Sequence, residues 1–289
     1  MWTEDHRRMN SNLMIMAAGV SSRMKRSAEI DGSSHAAIEA LSKPKMMLNV
    51  GGRPFLDYLL FNARDAGYSD ILFIVSDRDD TIRNYYTENA GDEQFTSLTF
   101  SFAEQTIPKG HSKPLGTADA ALSGLEFRPD WAGQKFTVCN SDNLYSVGAL
   151  SDLKRDDHLS ALIDYDRDAL GVEPERVNAF AVIWKNGDGF LADIVEKPDA
   201  QQVEKATDGD GRVGVSMNVF RLDYNTILPL LKETPLHPER EEKELTETVR
   251  MLVKRVPSGM YAIPLSEPVP DLTTIGDIGQ VGSFISSSS

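Results

Sequence analysis

The sequence has one cysteine, Cys139, and five histidines, at positions 6, 35, 111, 158 and 237. A lone cysteine excludes an intrachain disulfide framework and any cysteine-based zinc cluster, and it suits a reducing compartment. Its expected place is the core. The histidines show no metal-ligand spacing. Long apolar runs are also missing, since none approaches the roughly 18 residues that a membrane span needs. Residues 1–12 are charged and polar without an apolar stretch, so they do not read as a secretory signal, and a cytoplasmic location is expected. Positive charge is scarce: 30 Lys and Arg face 44 Asp and Glu, a formal net charge of −14. That field repels a polyanion, so neither nucleic acid nor a membrane is an expected partner. A small phosphorylated ligand stays compatible, because backbone N–H groups, a few basic side chains and a divalent cation act locally.

What is present is ordinary for a globular chain: 289 residues, 40% hydrophobic and 26% charged, ample for a buried core. Residues 13–17 form a short apolar run that breaks into the small-residue stretch Ala18-Gly19-Val20-Ser21-Ser22, a buried strand feeding a turn. Residues 54–66 carry an apolar stripe at helical spacing with proline in the first turn. Residues 71–75 read as a strand and 79–88 as a helix. Further strands are expected at 136–139, 159–164 and 213–220, a hairpin at 179–195 and an amphipathic helix at 242–253. This alternation predicts an α/β domain with a largely parallel sheet. No fixed-period repeat is present, and residues 286–289 read as a disordered tail.

Several stretches could carry chemistry. The turn at residues 18–22 lets backbone N–H groups approach a phosphate, and Arg23, Lys25 and Arg26 follow at once; alone it could be just a turn. It has neither Walker-loop nor GxGxxG order. Lys43-Pro44-Lys45 precedes a Gly51-Gly52 turn and reads as a solvated loop or a second phosphate contact. Asn140-Ser141-Asp142-Asn143 lies just past a buried strand, where α/β sheets bind ligands and a carboxylate can hold Mg²⁺; it could equally cap a helix starting near Val147. Glu196-Lys197-Pro198 and Asp271-Leu272-Thr273-Thr274 end two further segments. Asp208-Gly209-Asp210-Gly211 fails as a calcium loop, with Arg212 where the next ligand belongs.

Taken in order, these stretches resemble the nucleotidyltransferase family that makes nucleotide sugars, the sugar-1-phosphate pyrophosphorylases. The resemblance covers roughly residues 13–280. The opening L-x-x-G-x-[GS]-[ST]-R-[LM] is met by residues 16–24, MAAGVSSRM, and P-K-x-L-L-x-V-x-G-[KR]-P by residues 44–54, PKMMLNVGGRP. The base-reading stretch corresponds to Gln105 and to Gly116-Thr117-Ala118-Asp119-Ala120-Ala121-Leu122, with one extra alanine; the metal motif [GA]-D-[ND] to Ser141-Asp142-Asn143; the sugar-phosphate motif to Glu196-Lys197-Pro198. Met217 and Asn218 fall where the family lines its sugar pocket. Asp271 to Asp277 fits D-x-G-T-x-x-D except that Thr273 replaces glycine. The stretch between Arg23 and Lys45 is longer than is common in the family and suggests a flap over the triphosphate, hinged at residues 32–34, or an ordered surface insertion.

The resemblance implies an α/β, Rossmann-like three-layer sandwich with a mixed, mostly parallel central sheet, the nucleotide-diphospho-sugar transferase fold. It implies one domain over 13–281, with a nucleotide-binding half at 13–145 and a sugar-phosphate-binding half at 146–281, a flexible segment at 1–12 and a tail at 282–289. It also implies a reaction: a sugar 1-phosphate attacks the α-phosphorus of an NTP in line and pyrophosphate leaves. In that reading Mg²⁺ is held by Asp142 and Asp271. Arg23 and the N–H groups around Ala17, Ala18, Gly19, Val20, Ser21 and Ser22 hold the phosphates, and Lys45 stabilises charge at the α-phosphate. Gln105, Gly116 and Thr117 contact the nucleotide. Asn143, Glu196, Lys197, Met217 and Asn218 bind the sugar phosphate. The nucleophile is already ionised, so no general base is needed. A homo-oligomer is compatible. The rivals are a cytidylyltransferase for alditol or choline phosphate and a non-catalytic nucleotide sensor.

Overall fold

The computed structural model describes residues 11–32, 34–111, 113–171 and 180–288. Twelve strands are present among them: β1 (Asn12–Met16), β2 (Asn49–Val50), β3 (Arg53–Pro54), β4 (Asp70–Ser76), β5 (Thr99–Gln105), β6 (Lys135–Asn140), β7 (Ser160–Asp166), β8 (Ala181–Lys185), β9 (Leu191–Val195), β10 (Gly214–Ser216), β11 (Val219–Asp223) and β12 (Met260–Leu265). The first six helices are α1 (Ser22–Asp31), α2 (His35–Ser42), α3 (Phe55–Asp65), α4 (Thr81–Glu88), α5 (Thr117–Phe127) and α6 (Val147–Arg155). Four more follow, Ala200–Ala206, Tyr224–Glu233, Leu245–Arg255 and Asp277–Ser288.

Ten of the strands form one sheet. β5, β4, β1 and β6 are parallel neighbours in that order. β11 joins β6 antiparallel and leads to β7. β12 runs parallel to β7 along its whole length, while β10, β8 and β9 extend the sheet antiparallel from the end of β7. Strands covered on both faces need apolar side chains pointing both ways, which is why β1, β4 and β6 read as continuous hydrophobic runs. Alternate residues feed two cores: Leu13, Ile15, Ile71, Phe73 and Cys139 on one face, Met14, Met16, Leu72, Ile74 and Val138 on the other. Helices α1, α2, α3, α4 and α6 cover the first face; α5, Tyr224–Glu233 and Leu245–Arg255 cover the second. This is the expected three-layer α/β sandwich with a mixed sheet. Cys139 is fully buried, and burial pushes its thiol well above the ordinary range.

Three expectations change. The stretch expected as one strand over 213–220 is two strands, because Asn218 takes a left-handed backbone conformation, φ 55°, and bends the chain between β10 and β11. The segment between Arg23 and Lys45, expected as a hinged flap or an ordered surface insertion, is a pair of helices anchored in the core. Met24, Ala28, Ala37 and Ala40 of α1 and α2 are buried in the main core, and Ser34 caps α2 by accepting from the Ala37 N–H at 3.1 Å. Ser33 of the expected hinge, and residues 1–10 of the expected flexible segment, lie outside the described residues. The expected tail is helical to Ser288, because Ile278, Val281, Phe284 and Ile285 recur at helical spacing and pack on the core. No helix among the described residues is long and apolar enough to cross a membrane.

Candidate active site

The chain adds β4 and β5 on one side of β1 and then crosses to place β6 on the other. Ligands bind in α/β sheets at such a reversal, outside the carboxyl ends of the strands. A cavity of about 400 Å³ lies there, with Met16 and Asn140 at the strand ends among its walls. The turn after β1 forms one side. Ser21 sits at the start of α1 with φ 54° and makes no side-chain cap bond; its Oγ instead accepts from the Lys45 N–H at 3.3 Å. The first intrahelical bond is Lys25 N–H to Ser21 O, so the N–H groups of Ser22, Arg23 and Met24 are left for a ligand at the positive end of the helix dipole.

Lys45 opens a single 3-10 turn, Lys45–Met47, fixed by the buried Met46 and Met47. This aims the Lys45 ammonium at Asp142 Oδ2, with which it forms a hydrogen-bonded ion pair. The loop carrying Asp142 is held from two sides. Ser141 Oγ donates to Met16 O at 2.8 Å, and the Leu272 N–H donates to Asp142 O, and the Leu144 N–H to Pro270 O, each at 2.9 Å. Asn143 and Asp271 thereby face each other across an isolated bridge. The helix-capping alternative for this loop is excluded, because α6 is capped by Ser146, whose side chain accepts from the Ala149 N–H.

A second cavity of about 180 Å³ adjoins the first; Arg23, Asp142, Glu196 and Asn218 belong to the walls of both. Asn143, Met217 and Asp271 line the second and not the first. The Tyr145 hydroxyl, fully buried beneath, donates to Met217 O at 2.7 Å and so secures the bend at Asn218. Glu196 accepts from Thr246 Oγ1 at 2.5 Å. Lys197 is exposed, with φ 49°, and lines neither cavity. Ala17 lies behind the turn, outside both.

Gln105, at the end of β5, is buried at the far side of the first cavity. Its Nε2 donates to Gly116 O at 2.9 Å and to Asp119 Oδ2 at 2.8 Å. Both partners are acceptors only, which fixes the amide orientation and leaves Oε1 for a ligand. Thr117 Oγ1 accepts from the Leu245 N–H at 2.9 Å. Sequence reasoning missed Lys113, Glu242 and Glu244 in this wall. Lys113 pairs with Glu242, and burial, reinforced by the Glu196 charge, pushes the Glu244 carboxyl above its ordinary range. Glu242 and Glu244 fall in the charged run expected to be helical over 242–253, whereas the helix begins at Leu245.

The one local signal for that contact is Gly116. Its φ is 104°, and an added Cβ would stand 2.6 Å from Lys243 O. Gly116→Ala is expected to lower Tm by several degrees, since that backbone region alone costs about 1–3 kcal/mol for other residues. An unchanged melting curve would show that residues 242–244 yield freely.

The sequence model of the family described as Nucleotidyl transferase matches residues 40–288. The chain belongs to that family. The match begins within α2, beyond the turn at residues 18–22. Among curated relatives, this nucleotidyl transferase is 22% identical over 251 residues to the bifunctional protein GlmU of Staphylococcus epidermidis, covering 85% of this chain and 46% of that protein. It is 24% identical over 248 residues to GlmU of Aquifex aeolicus, covering 84% and 46%. The chain therefore spans about half the length of these relatives. Its fold is that of a solved UDP-glucose pyrophosphorylase complexed with UDP-glucose, with a TM-score of 0.70 at 19% identity over 97% of this chain and 100% of the other.

Proposed function

We propose that this nucleotidyl transferase joins an NTP to a sugar 1-phosphate, forming a nucleotide sugar and pyrophosphate. The observation that carries the reading is the meeting of two cavities at one carboxylate: Asp142 and Arg23 belong to both walls, with Lys45 alongside. One cavity takes the nucleotide and the other the phosphorylated acceptor, so the reacting groups meet at their junction. The solved structure of similar fold, described as a UDP-glucose pyrophosphorylase holding UDP-glucose, supports a nucleotide sugar as the product class.

An acceptor phosphate oxygen attacks the α-phosphorus, and the bond from that phosphorus to the bridging oxygen breaks as pyrophosphate leaves. Two anions must be brought together, so the residues work by alignment and charge neutralisation. Arg23 and the open N–H groups of α1 hold the β- and γ-phosphates, and Lys45 faces the α-phosphate. The bend at Asn218 shapes the acceptor cavity. Asp142 and Asp271 suit Mg²⁺, a hard cation commonly held by one or two carboxylates and substrate phosphates. Mg²⁺ bound there would supply charge neutralisation between the phosphate oxygens. The lone buried cysteine suits a cytoplasmic setting.

The test is a screen of NTPs against sugar 1-phosphates, with choline phosphate included because Lys197 stands outside the acceptor cavity. Pyrophosphate release is the readout, with and without EDTA. Release that needs both substrates and stops with EDTA is expected; no release with any pair would overturn the reading.

The fixed orientation of Gln105 gives a further expectation. Its free Oε1 must meet a donor on the base. Gln105→Glu sets a carboxylate against Asp119 and the Gly116 carbonyl, so KM for the NTP should rise about tenfold or more, the scale of one disrupted buried polar contact. Unaltered KM would place the base elsewhere.

A further inference from the structure

A third cavity, of about 260 Å³, lies behind the turn that follows β1. It sits outside the carboxyl ends of β1 and β4, a position where α/β sheets place ligands. Residues 18–21 form a wall shared with the nucleotide cavity, so the two spaces lie back to back. Nothing in the proposed reaction uses this second space.

Its charge runs against the rest of the molecule. On a chain of net charge −14, Lys25, Lys43 and Arg78 line this cavity against one carboxylate, Asp79. That carboxylate is engaged, its Oδ1 accepting from the Thr81 N–H at 2.8 Å at the start of α4. Lys25 has no side-chain partner among the described residues. Arg78 has only its sequence neighbour Asp77, at 3.9 Å, and Lys43 pairs with Glu39 at 2.7 Å on the exposed side of α2. Lys25 and the loosely held Arg78 are therefore the cations most open to a ligand, and Ile82 and Ile107 give the cavity an apolar side.

We infer that this cavity is a second anion site, taking a small phosphate-rich molecule of which pyrophosphate is the simplest. Only its source rests on the proposed reaction, which would generate pyrophosphate on the other side of the shared wall. An occupant would touch residues 18–21 from behind, where it bears on the turn that presents N–H groups to the nucleotide. A diphosphate offers more oxygens to three cations than a single phosphate does, and should bind more tightly.

The experiment is calorimetric titration of pyrophosphate into the full chain without divalent metal, with inorganic phosphate as a second probe. In Lys25→Glu/Arg78→Glu, pyrophosphate binding should weaken at least tenfold, a loss of about 1.4 kcal/mol, and it should weaken less but measurably in Arg78→Ala. On the nucleotide side of the turn Arg23 would meet the same phosphates, so Arg23→Ala should weaken a separate binding event there and leave the event lost in the double variant within about twofold, too small a change to count as a lost charge contact. No binding to the parent chain, equal affinity for the two probes, or binding lost in Arg23→Ala and kept in the double variant would each overturn the inference. Because the titration needs no turnover, failure of the catalytic reading in the pyrophosphate-release screen is seen separately.

Discussion

Asp142→Asn is expected to reduce kcat by about two orders of magnitude or more, the scale of losing a central electrostatic group. The substitution keeps the side chain's size and an oxygen for the Lys45 ammonium. It removes the charge that would draw a cation to the junction of the two cavities. Folding should survive, because the loop is held by backbone and Ser141 contacts that asparagine does not disturb, namely Leu272 N–H to Asp142 O and Ser141 Oγ to Met16 O. Steady-state turnover with the best substrate pair, beside a melting curve, checks this. Near-parental turnover would reduce Asp142 to a structural partner of Lys45.

Lys45→Ala should depress kcat on a similar scale, about a hundredfold, and weaken nucleotide affinity as well. The ion pair makes the two losses interdependent. With Lys45 absent the Asp142 carboxylate loses its protein counter-charge, so the double variant Lys45→Ala/Asp142→Asn should fall well short of the summed single losses. Lys197→Ala, on an exposed residue outside both cavities, should leave kcat unaltered and change the acceptor KM little. Three kinetic profiles separate the roles: matching profiles for Lys45→Ala and Lys197→Ala, or strict additivity in the double variant, would refute the arrangement drawn here.

Where one face of a helix or both faces of a strand meet the core, the pattern of residues was enough. The runs at β1, β4 and β6 are apolar on both faces because helices cover both. Asp142 stood out by its place after a strand and Lys45 by its place before a double-glycine turn, and the structure brings them into contact. Other features depend on contacts between distant segments, which leave little local trace. The helix α1, SRMKRSAEID, buries only Met24 and Ala28, too few apolar positions to announce a core helix. The bend at Asn218 is one backbone angle in a stretch otherwise composed like a strand. Lys113 and Glu242 meet only because residues 242–244 press against Gly116, and a glycine before a helix has commoner explanations. The outward position of Lys197 likewise follows from its own φ, which no motif encodes.

The bridge between Asn143 and Asp271 has a consequence in time. A chain growing from its N-terminus has synthesised every strand of the β1, β4, β5 and β6 ladders long before residue 271 exists, and domains begin to fold as they emerge. During that interval the loop carrying Asp142 lacks the backbone bonds from residues 270–272. Residues 270–272 follow β12, whose parallel pairing with β7 joins segments far apart in the chain, and such long-range pairing is intrinsically slow. Closure of the loop around Asp142 therefore waits on residues 270–272, and in refolding its amides should gain protection from exchange after those of the β1, β4 and β6 ladders.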